Sequence, residues 1–406
     1  MRRLLLPLAL LLCAHCQGGD DASAPPPAAS SASTPDASTP DASTPDASTP
    51  DASTPDASTP TTFDPSPRFP VGHASFVVDD PARSRKLTVH AYYPAAESAR
   101  AQSDAGMASP DLQPAGALRD LLSAKWPAAD SACVRARASV AEAAPLAEGG
   151  PFPVVAFSHC TGCFATSSSA LLEALAARGF VVVAPDHQGN TLVEAEAKNN
   201  APINEQFLAL RAGDIAKVLD VALDGPGIPG VAPASLDAAK VGMLGHSYGA
   251  LTTGLVAYQN PRVKAALAIA APMEFIGPAK VAEMKVPVGF LVAREDHSIN
   301  EAGNQQMRAQ ASSAPPPAWI GEVTDAGHWS FSDVPGLVPA FKAGCGAAKS
   351  QVPPYGAFDY LPAAEARAEG SRWVVAFFEA FLKSDEAAAA ALASARPLTA
   401  VTLRQK

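Results

Sequence analysis

Charged side chains are scarce in this 406-residue chain, 17% against 48% apolar. That balance excludes a disordered protein, which has too little apolar surface to bury, and a coiled coil, which is charge-rich. A basic excess is missing as well. The formal net charge is -10, and Arg2 and Arg3 against eight aspartates put -6 of it into residues 1–66, leaving -4 for the remainder. Nothing in that distribution recommends a nucleic-acid partner, whose phosphates call for a cationic surface. Long apolar runs are absent too: none approaches the roughly 18 residues that a bilayer span needs.

What is present begins with an export pattern. Arg2 and Arg3 precede the apolar stretch Leu4 to Leu12, and Cys13-Ala-His-Cys16 follows. A cationic start before a short apolar core reads as an export signal over residues 1–16. A buried N-terminal helix is disfavoured, because Pro7 interrupts the run and no amphipathic pattern succeeds it. Cys16, followed by Gln-Gly-Gly-Asp-Asp, resembles the lipidated cysteine of bacterial lipoproteins, whereas Cys13, Ala14 and His15 depart from the usual small-residue rule. Membrane attachment through Cys16 and free export both stay open, and the expected location is the cell envelope or the exterior.

Residues 17–66 read as a linker. Ser-Thr-Pro-Asp-Ala occurs five times from Ser33 to Ala57. A five-residue period is too short for a solenoid, and the segment offers no large apolar side chain to bury. Regular proline and repelling aspartates favour an extended, disordered tether that holds a domain off a surface.

About 340 residues remain, a length that suits one large α/β domain over residues 67–406. Arg85 to Pro94 alternates like a strand. Residues 95–150, rich in Ala, Ser and Pro, read as an irregular excursion. Phe152 to Phe157 and Phe180 to Ala184 are continuous apolar runs, as in parallel strands buried on both faces. Between them Ser168 to Arg178 reads as a helix closed by Gly179. Residues 204–223 give a helix, Val241 to Leu244 a strand, and Tyr248 to Tyr258 a helix. Further strands are expected at Val263 to Ala270, Val286 to Val292 and Trp319 to Thr324, with a closing helix at Arg372 to Lys383. This alternation specifies a mostly parallel central sheet flanked by helices on both faces.

Gly245-His-Ser-Tyr-Gly249 is the sharpest local signal. A bare G-x-S-x-G is common, but here the strand ending at Leu244 runs into it and a helix runs out. Such an elbow holds a serine in a strained turn that only flanking glycines permit. Serine needs a base, and the base needs a carboxylate to fix its tautomer. In this architecture the chain order is serine, acid, histidine. His328, in Asp325-Ala-Gly-His-Trp-Ser-Phe331 after a strand, is the candidate base, whereas His297 directly follows a strand and points elsewhere. Asp296, at the C-terminal end of the strand from Val286, is the favoured acid. Glu274 competes, and the adjacent Glu295 reads as a solvated surface charge.

Tyr248 and Thr161 are the candidate oxyanion donors, through their backbone N–H groups. His159 precedes the nucleophile and reads as a structural brace for the loop. His159-Cys160-Thr-Gly-Cys163 invites a zinc reading, yet no second cluster has ligand spacing. An even set of Cys133, Cys160, Cys163 and Cys345 in an exported chain points instead to two disulfides, with three connectivities open. A bridge at Cys160 would rigidify the oxyanion loop. No metal and no cofactor is expected.

Val154-Val-Ala-Phe-Ser-His159, Arg178 to His187, Gly245 to Gly249 and Gly327-His-Trp-Ser-Phe331 together resemble the α/β-hydrolase superfamily over roughly residues 69–384. More narrowly they are similar to the branch of platelet-activating-factor acetylhydrolases and dienelactone-hydrolase-like secreted esterases. The resemblance implies Ser247 as nucleophile, His328 as base, and Thr161 and Tyr248 as oxyanion donors. Two positions depart from the pattern. Cys160 stands where the family loop has glycine, and Ala270 and Ala271 stand where acetylhydrolases carry their acid. The expected activity is serine-dependent hydrolysis of carboxylic esters: short-chain acyl esters, acetylated or oxidised phospholipids, or a polyester. The contrasting expectation is a surface-tethered binding module that keeps the fold without turnover. No protein partner is evident.

Overall fold

The computed structural model describes residues 62–405. The export signal, Cys16 and the repeat lie outside the described residues. Ten strands form one sheet: β1 (Val71–Asp80), β2 (Arg85–Pro94), β3 (Ala141–Glu142), β4 (Phe152–Ser158), β5 (Val181–Pro185), β6 (Leu236–His246), β7 (Val263–Ile269), β8 (Val288–Ala293), β9 (Ala318–Val323) and β10 (Thr399–Arg404). Their order across the sheet is β10-β9-β8-β7-β6-β4-β5-β2-β1-β3. From β5 to β9 every neighbouring pair is parallel, with β4 and β6 aligned from Val154↔Val241 to Ser158↔Gly245. β2 joins β5 antiparallel at one side, and β10 joins β9 antiparallel at the other.

The helices are α1 (Arg100–Ala105), α2 (Ala117–Lys125), α3 (Ser169–Ala176), α4 (Leu192–Glu196), α5 (Glu205–Leu223), α6 (Tyr248–Gln259), α7 (Asn300–Ser313), α8 (Ala363–Leu382) and α9 (Glu386–Leu392). Because strand side chains alternate, a continuous apolar run supplies two cores at once. Val155, Phe157 and Leu244 pack with Leu172 and Leu175 of α3 and Phe377 and Phe378 of α8. Their neighbours Val154, Ala156 and Met243 pack on the opposite face with Ile215, Val218 and Leu219 of α5. Sheet order and two covered faces are those of an α/β-hydrolase fold.

Several boundaries differ from the sequence reading. The helix expected at Arg372 starts nine residues earlier, at Ala363, where small and charged residues give little apolar pattern. The helix expected from Ser168 starts as a 3-10 turn, Ala165–Ser168, and its α-helical part ends at Ala176, with Gly179 in the left-handed region at φ 80°. The strand at Val241 begins five residues earlier, at Leu236. Residues 95–150 do form an irregular excursion of short helices, 3-10 turns and two-residue strands.

Candidate active site

β6 runs into Ser247, and α6 begins at the next residue. Ser247 takes φ 57°, ψ -120°, a conformation that L-residues rarely hold. The flanking glycines are obligatory here. A Cβ on Gly245 would stand 2.0 Å from the Gly249 carbonyl oxygen, and one on Gly249 would stand 1.8 Å from that of Ser158. The Ser247 amide donates to the Ile269 carbonyl at 2.9 Å, which ties the turn to β7. Ser247 is partly exposed, whereas Val241 to His246 leading into it are buried.

His328 lies on the loop after β9. Its Nδ1 meets Asp296 Oδ2 at 2.7 Å, and both residues are buried. Asp296 Oδ1 accepts from the amides of Ser298 and Ile299 at 2.9 and 3.0 Å. One carboxylate oxygen is therefore anchored by backbone while the other holds the imidazole, leaving Nε2 for a further partner. The histidine loop is pinned to the elbow: His246 Nε2 donates to the His328 carbonyl at 2.7 Å, and the two rings lie 5.1 Å apart. Burial, then the neighbouring His328, lowers the His246 pKa to about 3, so His246 is a neutral donor. No hydrogen bond joins Ser247 Oγ to His328, whose one side-chain bond among the described residues is to Asp296. In resting sites of this kind that contact is often long and tightens with substrate.

Of the other carboxylates, Glu274 stands apart, its Oε1 accepting from the Val281 amide at 2.6 Å. Glu295 is not the solvated charge expected from sequence. It is 3% exposed, and its oxygens accept from Ser350 Oγ and the Gln351 amide, both at 2.7 Å. It anchors the segment that follows the histidine loop, which sequence proximity to Asp296 does not reveal. His297 is exposed and turned toward the Tyr360 ring.

On the other side of Ser247, β4 delivers the loop 159–164. The disulfide Cys160–Cys163 closes it around Thr161, and Cys133–Cys345 forms the second bridge. Both thiols of the CxxC are thereby consumed, which removes the zinc reading; no metal-competent cluster of His, Cys, Asp and Glu occurs among the described residues. His159 braces the loop as expected. Its Nδ1 donates to the Cys160 carbonyl at 2.7 Å and its Nε2 accepts from the His187 amide at 3.0 Å. Burial, then Arg211, holds its pKa well below the usual value, consistent with that neutral tautomer. The Thr161 hydroxyl accepts from Asn190 and Asn200 at 3.0 and 3.1 Å. Tyr248 is the first residue of α6, where backbone N–H groups lack intrahelical acceptors.

Comparison with known proteins places these elements in a lineage. The dienelactone hydrolase family profile matches residues 143–368, a span that holds the elbow, Asp296 and His328. The chain belongs to that family. The profile of platelet-activating factor acetylhydrolase, isoform II, matches residues 56–217 of the hydrolase. The platelet-activating factor acetylhydrolase of Cavia porcellus is 24% identical over 193 residues, 39% of this chain and 43% of that relative. The match thus spans less than half of the curated relative. A ferulic acid esterase from Streptomyces cinnamoneus superposes with a TM-score of 0.60 at 25% identity, over 84% of this chain and 98% of that one.

Proposed function

We propose that this hydrolase is a serine-dependent carboxylic ester hydrolase in which Ser247, His328 and Asp296 form the triad. The observation that carries the reading is the buried Asp296–His328 pair at 2.7 Å, bonded through its own carbonyl to the strained serine elbow. Ser247 Oγ attacks the acyl carbon while His328 Nε2 takes its proton. Asp296 stays ionised and stabilises the imidazolium. The negative charge on the former carbonyl oxygen faces the N–H groups of Thr161 and Tyr248. Collapse expels the alcohol, protonated by His328, and water then releases the acid from the acyl-enzyme by the same steps in reverse. Each oxyanion donor contributes on the order of 100-fold or more in rate.

Two lines of support bear on substrate. The acetylhydrolase likeness favours short acyl chains and acetylated or oxidised phospholipids, and its profile match lies in residues 56–217. The ferulic acid esterase likeness spans nearly the whole of that esterase and favours aromatic acyl esters as the second reading. Export with attachment through Cys16 or free release completes the proposal, in keeping with two disulfides.

A hydrolysis screen over p-nitrophenyl esters of increasing chain length, an acetylated phospholipid and methyl ferulate tests it. Turnover confined to the shortest chains and the phospholipid supports the first reading; preference for the ferulate replaces it. In the same assay Asp296→Ala lowers kcat by about 10⁴-fold and Glu274→Ala leaves it within a factor of a few. The reverse ranking would move the acid.

A further inference from the structure

Arg211 sits in the middle of α5 with no exposed surface, yet no carboxylate among the described residues touches it. A buried cation without a direct counter-ion is costly, and its surroundings show what it holds in place. One guanidinium nitrogen donates to Ser158 Oγ at 3.0 Å and to the His159 carbonyl. The other terminal nitrogen donates to Asn190 Oδ1 at 2.5 Å, and the Asn190 amide in turn donates to Thr161 Oγ1 at 3.0 Å. Nε donates to Thr252 Oγ1 at 3.1 Å, and the Thr252 hydroxyl donates to the Tyr248 carbonyl at 3.1 Å. The guanidinium carbon also lies 4.6 Å from the centroid of the Tyr248 ring. The two residues proposed as oxyanion donors come from segments separated in sequence, and this one planar fork contacts the support of both.

The bond directions in the network are fixed. Burial, then Arg211, lowers the His187 pKa to about 3, so its ring is neutral. Nδ1 donates to Asp214 Oδ2 at 3.0 Å, and Nε2 accepts from the Ser158 hydroxyl at 2.9 Å. Ser158 Oγ is then free to accept from Arg211. Ser158, His187 and Asp214 thus make a second serine–histidine–aspartate chain, all three members buried, with the serine oxygen already occupied by a cation. Asp214 is itself held by Arg85 Nε at 2.9 Å and Arg83 at 3.0 Å. The chain is a scaffold that relays the charge of Asp214 to Arg211 through two neutral side chains. A lysine cannot replace it, because one ammonium does not span four acceptors in a plane.

We infer that Arg211 is a positioning residue for the oxyanion hole, setting the separation and aim of the Thr161 and Tyr248 N–H groups; the inference rests on the ester-hydrolase reading above. Loss of the fork lowers kcat because the donors shift relative to the developing oxyanion, and it leaves substrate affinity nearly unchanged because the donors serve the transition state.

The test compares wild type with Arg211→Lys, Arg211→Met and the milder Asn190→Ala, which removes only the link to Thr161. The readouts are kcat and KM on a p-nitrophenyl ester, and the inhibition constant of a boronic acid that adopts the tetrahedral geometry. Arg211→Met is expected to lose about 100-fold in kcat, the scale of a 1 Å misplacement, with KM within threefold. Arg211→Lys recovers little of that loss, and Asn190→Ala loses roughly tenfold. The boronic acid weakens in proportion to kcat in every variant. Full activity in Arg211→Lys or Asn190→Ala, or a loss of kcat without loss of boronate affinity, overturns the positioning role while leaving the triad standing. A folded wild type that hydrolyses no ester overturns both readings.

Discussion

Ser247 holds φ 57°, ψ -120°, and its flanking glycines have carbonyl oxygens within 2.0 Å of where a Cβ would sit. Backbone in that region costs about 1–3 kcal/mol, which the surrounding fold supplies. Ser247→Ala keeps the penalty, whereas Ser247→Gly removes it. Urea unfolding is therefore expected to find the glycine variant more stable than the alanine variant by about 1 kcal/mol, though both lack the Ser247 hydroxyl. Equal stabilities would mean that the elbow is not strained. At this scale the sequence displays the proposed nucleophile, base and acid clearly, because each follows closely on a legible strand. It hides Glu295, since burial of a carboxylate depends on the Ser350 and Gln351 partners that only folding brings near. Arg211 was detectable in principle. With Phe207 and Ile215 it lies on the stripe of α5 spaced by four, where a charge among core positions is a signal.

Among the elements, the long parallel strands were readable from their apolar runs, and the short or polar ones were not. α7 has Asn304 and Gln310 among its buried residues beside Met307 and Ala311, so no apolar stripe marks it. Asn304 Nδ2 donates to the Ala293 carbonyl at 3.0 Å, and Gln310 Oε1 accepts from the Met273 amide at 2.8 Å. These polar side chains do in the core what apolar ones do elsewhere. β10 closes one sheet edge far from β9 in sequence, a pairing that no local pattern encodes. The excursion of residues 95–150 gains its order partly through Cys133–Cys345, whose partners are 212 residues apart. Trp126 and Leu122 from that excursion pack with Trp329 and Phe341 around Cys160 and Cys163. Removing the long bridge by Cys133→Ser with Cys345→Ser is expected to cost about 2–5 kcal/mol in stability, read as a lower urea midpoint. An unchanged midpoint would show that packing alone holds the excursion.

The molecule buries a set of neutral histidines, three of them in or beside the serine elbow and the loop 159–164. His90, His187 and His246 each titrate at about 3, driven first by burial, and His159 lies well below its usual value. Unfolded histidines titrate near 6.5. Folded pKa values that are depressed give stability that is present above 6.5 and lost as pH falls toward 3. Asp186, raised by burial to about 7 and 3.9 Å from His90, acts in the opposite sense across the same range. Asp333, raised by burial to about 6, opposes the histidines as well. Four histidines outweigh two aspartates, so the melting temperature is expected to fall between pH 6.5 and 4 by more than the surface charges alone produce. A flat profile there would show that the histidines ionise in the folded state. The sheet and its layers were legible at this scale because alternation of strands and helices leaves few topologies.

The central claim is that Ser247 is the nucleophile of the triad. Incubation of folded protein with a fluorophosphonate probe, followed by intact mass and peptide mapping, tests it most directly. One adduct per chain on the peptide carrying Ser247, absent from Ser247→Ala and from heat-unfolded protein, is the predicted result. No adduct on folded protein, or an adduct that maps to Ser158 instead, would contradict it.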